Sequence, residues 1–168
     1  MNIAVQPYAS TEAQGHFRDT VVNDVLLSDI KAYLSLENQV ILQNIYPEGK
    51  LKVWGITANR QQKQWEKLTV GDRVLFYANK EFDYQAIVTH KISNAKLAEF
   101  LWGKMEDGQA TWENIYFIDN LNTISLDIKA YNQFLGYKEN YFVQAFYVHS
   151  ERQSELIWDG LKAMKQVG

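Results

Sequence analysis

The 168 residues include no cysteine, two prolines and three histidines. The lack of cysteine excludes a disulfide framework, a Cys-ligated zinc and a thiol nucleophile in one step, and it favours a cytoplasmic setting. Nowhere do about 18 apolar residues run together, so no membrane-spanning helix is expected. The opening MNIAVQPYASTEAQGHFRD has no basic region with an apolar run behind it, so export by that kind of signal is not expected either. His16, His90 and His149 have no neighbour at a metal-ligand spacing such as HExxH, and no metal or cofactor is expected. A GxxxxGK[ST] phosphate loop and a GxSxG elbow are both missing. The acidic pairs read as solvated: Glu106-Asp107 in a turn, Glu151 and Glu155 on a solvent-facing helix turn. Glu81, Asp83 and Lys91 lack the compact acid, acid-x-Lys arrangement of a nuclease metal site. The expectation is a protein that is not an enzyme, with no catalytic residue of its own.

What remains is a globular composition, 46% hydrophobic and 22% charged, in a chain long enough for one core. The unusual feature is 14% aromatic residues, with five Trp and ten Tyr. Buried Trp and Tyr each need a partner for a polar edge, so so many in a short chain implies that some line a surface or pocket. The net charge is -3, but it divides unevenly. From Lys50 to Lys104, ten Lys or Arg stand against five Asp or Glu, while the segments before and after each come to -4. A central +5 stretch permits contact with a polyanion.

The first 45 or so residues read as helical. Ser10 or Thr11 caps a helix, with Gln14 completing a capping box after Thr11; a second stretch carries Ile30, Tyr33 and Leu34. A third begins near Ser35, with Leu36, Val40, Ile41 and Ile45 at helical spacing, and Tyr46-Pro47-Glu48-Gly49 ends it in a turn. Residues 1–50 are therefore expected to form a helical N-terminal extension packed on a core of residues 51–168. That core reads as strand-rich. LKVWGIT is a strand, QQKQWEKL a short helix, and VGDRVLFYANKEFDYQAIVTHKI a hairpin turning at Asn79-Lys80-Glu81. A helix over Asn94 to Trp102 follows, then an Asp107-Gly108 turn, two short strands in WENIYFIDNLNTISL and a helix over Ile128 to Leu135. YFVQAFYVHS reads as a last strand, and Ser150 caps a terminal helix through Leu156, Ile157, Leu161 and Met164. The class is α+β: a small, curled, mixed sheet of about six strands flanked by short helices, rather than a parallel α/β sheet.

The aromatic residues fall at strand ends and in loops that would gather around one mouth of a small barrel. Trp54 is in the opening strand, Trp65 in the helix after it, Tyr77 and Tyr84 flank the hairpin turn, and Trp102 and Trp112 bracket the Asp107-Gly108 loop. Phe76, Phe117 and Phe142 are assigned to the core.

The strings VWGIT, then W-x-K-L-x-x-G-D-R-V-L-F-Y, then LWG, TWENIYFIDN and FLGY, in that order, resemble the EVE domains of the PUA-like superfamily. The likeness is greatest to the N-terminal DNA-binding domains of modification-dependent restriction proteins of the McrB type. It spans roughly Leu51 to Val148, and NIAVQPYASTEAQGHFRDT also looks like the segment that precedes this domain in such proteins. The resemblance implies a PUA-like open barrel. It further implies recognition of a modified base, methylation being the leading modification, rotated out of the duplex and held between aromatic side chains. The modifications at issue are N6-methyladenine and 5-methylcytosine. Stacking on an aromatic face gains about 1–3 kcal/mol per base, enough to offset a few kcal/mol of unstacking. Burying one methyl adds only ~0.8 kcal/mol, so hydrogen bonds must supply the rest of the discrimination.

The resemblance puts Thr57 or Asn59 at the pocket border as donors and Asp119 as acceptor, with Asn120 an alternate. Trp54, Trp65, Tyr77, Tyr84, Trp102 and Trp112 are the candidate pocket walls. Arg60, Lys63, Lys80 and Lys104 are candidates for contacting phosphates without reading sequence. The partners implied are double-stranded DNA carrying a modified base, and a separate GTPase motor and nuclease of an antiviral restriction system. Two other readings share these residues: an RNA-binding PUA-like or YTH-like reader, and a protein-interaction domain whose aromatics form a hot-spot patch.

Overall fold

The computed structural model describes residues 1–105 and 111–167; the expected Asp107-Gly108 turn and the Glu106-Asp107 pair lie outside them. The chain opens with a strand rather than a helix: β1 (Ile3–Pro7) runs parallel to β4 (Arg73–Ala78) and antiparallel to β7 (Tyr147–Val148). Ile3, Ala4 and Val5 are all buried. An apolar run covered on both faces has no helical period to read, and five residues are too few to show one.

The expected helices follow it. α1 (Thr11–Phe17) is capped by Ser10, whose hydroxyl accepts from Ala13 N at 3.0 Å, while the Gln14 amide reaches back to the Ala9 carbonyl instead of boxing with Thr11. The helix loosens into a π turn at Arg18–Val22, followed by β2 (Val25–Leu26), α2 (Leu27–Ile30), a 3-10 turn (Lys31–Tyr33) and α3 (Leu36–Ile45). The face that α3 buries is not the expected one: Leu36 and Val40 are exposed and Leu42 is fully covered. Gly49 then closes the turn onto Tyr46 with φ +72°, a conformation that costs glycine nothing.

The rest is built largely as expected: β3 (Lys50–Ile56), α4 (Gln62–Lys67), β4, β5 (Glu81–Ser93), α5 (Ala95–Trp102), α6 (Ile128–Leu135) and α7 (Glu151–Val167). The hairpin turns on Asn79 and Lys80, both with positive φ (55° and 63°), the backbone of a type I′ turn. Two expectations fail. WENIYFIDNLNTISL is one long strand, β6 (Asn114–Asp127), because Asn120 takes φ +54° and bends it without ending it. Only Tyr147–Val148 of YFVQAFYVHS is strand, and Phe142, assigned to the core, is 53% exposed on the irregular segment before it.

The sheet order is β2-β3-β6-β5-β4-β1-β7, mixed and open. Register shifts interrupt the pairing of β5 with both β4 and β6, and such bulges bend strands and raise their twist. Alternation along the strands sorts side chains between two faces. One face gathers Ala4, Trp54, Ile56, Val74, Phe76, Ala86, Val88, Tyr116, Ile118 and Val148 from the strands into a single cluster. The other is shared by two clusters, one under α2, α3 and α5, the other under α6 and α7. α4 links strands far apart in the sheet: Gln62 Oε1 accepts from Asn114 of β6 at 2.7 Å, and Gln64 Oε1 accepts from Val148 N of β7 at 2.9 Å. Among the described residues no helix is long and apolar enough to cross a membrane, and no cluster of His, Asp and Glu is arranged to hold a metal ion.

Candidate nucleic-acid interface

Three elements distant in sequence meet at one end of β3. Trp54 and Gly55 come from β3, Trp102 ends α5, and Trp112 precedes β6. α1 covers them with Ser10, Glu12, Ala13 and His16, and Met105 completes the lining of a pocket of about 220 Å³. That is below the roughly 300–1,000 Å³ of pockets for drug-sized ligands and suits one heterocycle.

The walls are fixed. The Trp54 and Trp102 rings are 6.3 Å apart at 63°, and His16 meets Trp112 edge-on at 4.9 Å. Phe17 braces Trp54 from behind at 5.7 Å. Trp102 Nε1 donates to Thr20 Oγ1 at 3.3 Å, and Thr111 donates to the Gly103 carbonyl at 2.9 Å, tying the segment of Trp112 to that of Trp102. Gly55 makes the closeness possible: a Cβ there would lie 2.5 Å from the Trp112 carbonyl oxygen and 2.6 Å from the Trp102 ring.

The pocket is apolar with a few polar groups. Two of the lining residues carry a buried polar atom with no hydrogen-bond partner, Trp54 Nε1 and His16 Nε2; among the described residues the same holds away from the pocket for Trp65 Nε1, Arg73 Nε, Asp83 Oδ1 and Asn132 Oδ1. Native proteins rarely leave such atoms unpaired, since each costs about 1–3 kcal/mol. Glu12 is the one carboxylate among the described lining residues. The indole N–H can only donate and an ionised carboxylate can only accept, while His16 Nε2 does either according to its tautomer.

Of the ten residues suggested for the pocket, the structure brings Trp54, Trp102 and Trp112 together in this lining. Thr57 and Asn59 lie just beyond, in the loop leaving β3, engaged with each other: Asn59 Oδ1 accepts from the Thr57 hydroxyl at 2.9 Å and from Arg60 N at 2.6 Å. Trp65 packs against the core beneath Lys91, whose ammonium is 4.2 Å from its ring centroid and donates to the carbonyls of Trp65 and Leu68. Tyr84 packs on Phe17 at 5.3 Å. Tyr77 belongs to the cluster under α6 and α7, on the other face of the sheet. Asp119 and Asn120 are exposed on β6, paired away from the pocket end, with Asp119 Oδ1 accepting from Asn120 N.

Arg60, Lys63 and Lys104 are exposed on segments that adjoin the pocket-lining Gly55 and Met105 in sequence. Lys80 is exposed in the β4–β5 turn. Its neighbour Glu81 pairs with Asp127, whereas the pocket end of β5, Ser93, pairs with Asn114. Lys80 is thus separated from the pocket by nearly the length of β5. Ser10, Glu12, Ala13, His16, Gly55 and Met105 are lining residues that the sequence reading does not single out for the pocket. Glu12 and His16 stand four apart on a capped helix and so share a face, which is the one signal that would have found them.

Burial also shifts the ionisation of groups outside the pocket. Tyr8 lies just before α1; burial and its 2.5 Å hydrogen bond to Asp83 both raise its phenol pKa. Burial raises the Asp83 carboxyl as well, against the lowering effect of that same bond. His149 is pushed down by burial between Tyr131 and Gln153.

No protein-family model matches the chain, and no curated protein does. Solved structures do. The N-terminal domain of McrB from Thermococcus gammatolerans, bound to m5C DNA, superposes with a TM-score of 0.69 over 98% of this chain and 99% of that one, at 16% identity. The YTH domain of the MRB1 protein of Zygosaccharomyces rouxii, in complex with N6-methyladenosine RNA, gives 0.51 over 96% and 86%, at 15% identity. The chain has the α+β, PUA-like fold of the McrB N-terminal domain along its whole length.

Proposed function

We propose that this chain is a reader of a modified base in DNA, taken out of the duplex into the pocket between Trp54, Trp102 and Trp112. The observation that carries the reading is a cavity the size of one heterocycle, walled by three tryptophans, whose lining residues Trp54 and His16 each hold a buried polar atom without a partner. A base edge that enters, with a small shift of the rings, would give both a partner. Trp54 Nε1–H donates to a ring nitrogen or carbonyl of the base, and Glu12 accepts from an exocyclic N–H, leaving His16 to take either role. The indoles supply stacking, about 1–3 kcal/mol per base, and cover a methyl group. Arg60, Lys63 and Lys104 neutralise phosphates around the mouth and hold the duplex without reading it. The likeness to a domain bound to m5C DNA supports DNA as the partner.

The wider role that fits is the recognition module of a modification-dependent restriction or antiviral defence system in the cytoplasm. A separate GTPase motor and nuclease would do the cutting there, and this chain carries out no chemistry. A second reading, a modified base in RNA, is favoured by the likeness to the YTH domain on N6-methyladenosine RNA.

The test is a fluorescence-anisotropy titration against matched duplexes carrying adenine, N6-methyladenine, cytosine, 5-methylcytosine or 5-hydroxymethylcytosine, at two salt concentrations, with RNA strands as competitors. A preference of about tenfold or more, equivalent to 1.4 kcal/mol, for one modified duplex supports the reader and names its base. Displacement by modified RNA in preference to DNA moves the assignment to the second reading. No binding to any of them refutes both.

A further inference from the structure

One buried hydroxyl lies where the three walls of the pocket meet. Thr20 is 3% exposed, in the π turn that continues α1. Its Oγ1 accepts from Trp102 Nε1 at 3.3 Å and donates to the Val53 carbonyl at 2.7 Å, with the His16 carbonyl also in reach at 3.2 Å. Val53 precedes Trp54 on β3, and His16 is the pocket residue of α1. A single side-chain atom thus connects α5, β3 and α1 at the residues, or their immediate neighbours, that line the cavity. π turns inside helices recur at functional sites, and here the wider turn carries a threonine facing inward between β3 and α5. Lys52 reinforces the turn from β3, donating to the carbonyls of Val21 at 2.8 Å and Val22 at 3.2 Å while paired with Asp24 at 3.0 Å.

We infer that Thr20 is a positioning residue of the base pocket: its hydroxyl sets the Trp102 indole at the angle and depth needed to stack on a base. The inference rests on the reading of the pocket as a base site. The hydroxyl is well suited to the task because the indole N–H can only donate. Without an acceptor at Thr20 the Trp102 N–H is left unpaired in a buried setting, and the ring gains by tilting toward any other acceptor, including one inside the cavity. The ring cannot simply sink deeper, because its edge already occupies the space over Gly55.

The test compares Thr20→Val, which keeps the shape and removes the hydroxyl, with Thr20→Ser, which keeps the hydroxyl. Two readouts are taken on the whole chain. In the free protein, the indole N–H resonance of Trp102, assigned by its loss in Trp102→Phe, is expected to shift in Thr20→Val and stay near its original position in Thr20→Ser. In titrations, Thr20→Val is expected to lower the preference for the modified duplex over the plain one by about fivefold, the equivalent of one lost hydrogen bond, with the salt dependence unchanged. Thr20→Ser restores most of that preference, and in a Trp102→Phe background Thr20→Val has no further effect on it.

An unshifted Trp102 resonance, or a preference ratio that survives Thr20→Val while only the unfolding midpoint falls, overturns the positioning role and leaves Thr20 a structural residue. If Thr20→Val does not fold, Thr20→Cys, of similar size and weak as a hydrogen-bond partner, is read in the same way. A wild-type chain that prefers no modified duplex refutes the base-site reading instead, a result separable from the resonance, which needs no ligand.

Discussion

Replacing Gly55 by alanine tests the pocket with one carbon atom. The added Cβ would sit 2.5 Å from the Trp112 carbonyl oxygen and 2.6 Å from the Trp102 ring, both well inside van der Waals contact. Neither neighbour yields freely: Gly55 is paired with Ile115 in the β3–β6 ladder, and Trp102 is held by Thr20. Alanine by itself favours folding by about 0.4–1 kcal/mol, through the reduced entropy of the unfolded chain. Overpacking a rigid site costs about 1–3 kcal/mol. The steric term wins, leaving a net loss of about 1–2 kcal/mol, or about 2–8 °C in Tm for a chain of this size. The larger effect falls on the cavity, because the walls that must move are its own. Binding of the preferred duplex is expected to weaken by at least about tenfold, 1.4 kcal/mol, while binding to plain duplex changes little. Thermal unfolding followed by circular dichroism gives the first quantity and fluorescence anisotropy the second. A variant that melts at or above the wild-type temperature, or that keeps the wild-type preference, would refute the reasoning.

Trp112→Ala removes a half-buried wall and should abolish the preference for a modified base with the far-ultraviolet spectrum unchanged; a lost spectrum would instead make Trp112 structural. Tyr84→Ala, which withdraws a ring from Phe17, should lower the unfolding midpoint in urea more than Trp112→Ala does. Arg60→Ala and Lys104→Ala should weaken binding to modified and plain duplexes alike, each reducing the slope of log affinity against log salt by about one. Lys80→Ala, at the other end of β5, should leave that slope unchanged, and an equal effect would mean a footprint far larger than the pocket mouth. His149 is buried with one ring nitrogen facing the Tyr131 hydroxyl and the other facing Gln153 Oε1, and its pKa is lowered on folding. Its contribution to stability is therefore complete above the unfolded-state value of about 6.5 and is lost as pH falls toward the depressed folded value. Urea midpoints measured from pH 7.5 to 5 should fall, and the same series on His149→Gln should be flatter; parallel curves would discount this histidine.

Local signals were readable from sequence wherever the chain follows local rules. The hairpin turn at Asn79-Lys80, the helix α5 after Asn94, the Gly49 turn and α6 all appear where propensity and periodicity put them. β1 was hidden because its partners are 70 and more residues away, and five buried residues show neither a helical nor an alternating period. β7 was overread for the opposite reason: YFVQAFYVHS has the composition of a strand, but only two of its residues find a ladder. The indoles of the pocket stood out as Trp in strand ends and loops, and so did Trp65, Tyr77 and Tyr84. Nothing local distinguishes a ring facing the cavity from one facing the core, since that depends on which strand lies alongside. Asp119 and Thr57 follow only from analogy of position, while the lining residues with an unpartnered polar atom are Trp54 and His16.

The short helix α1 brings Glu12 and His16 to the pocket, while the three indoles stand on β3, α5 and the approach to β6. On the proposed reading, the acceptor Glu12 and the tautomer-dependent His16 stand on a different part of the chain from the stacking indoles, of which Trp54 also offers a donor. The helix is moored by its Ser10 cap and by Phe17, neither of which would be disturbed by exchanging residues at positions 12 and 16. A lineage could retune which base edge is accepted by substituting on one exposed turn, leaving the stacking surfaces and the sheet beneath them untouched, much as a lock is rekeyed by changing pins while the cylinder stays in the door.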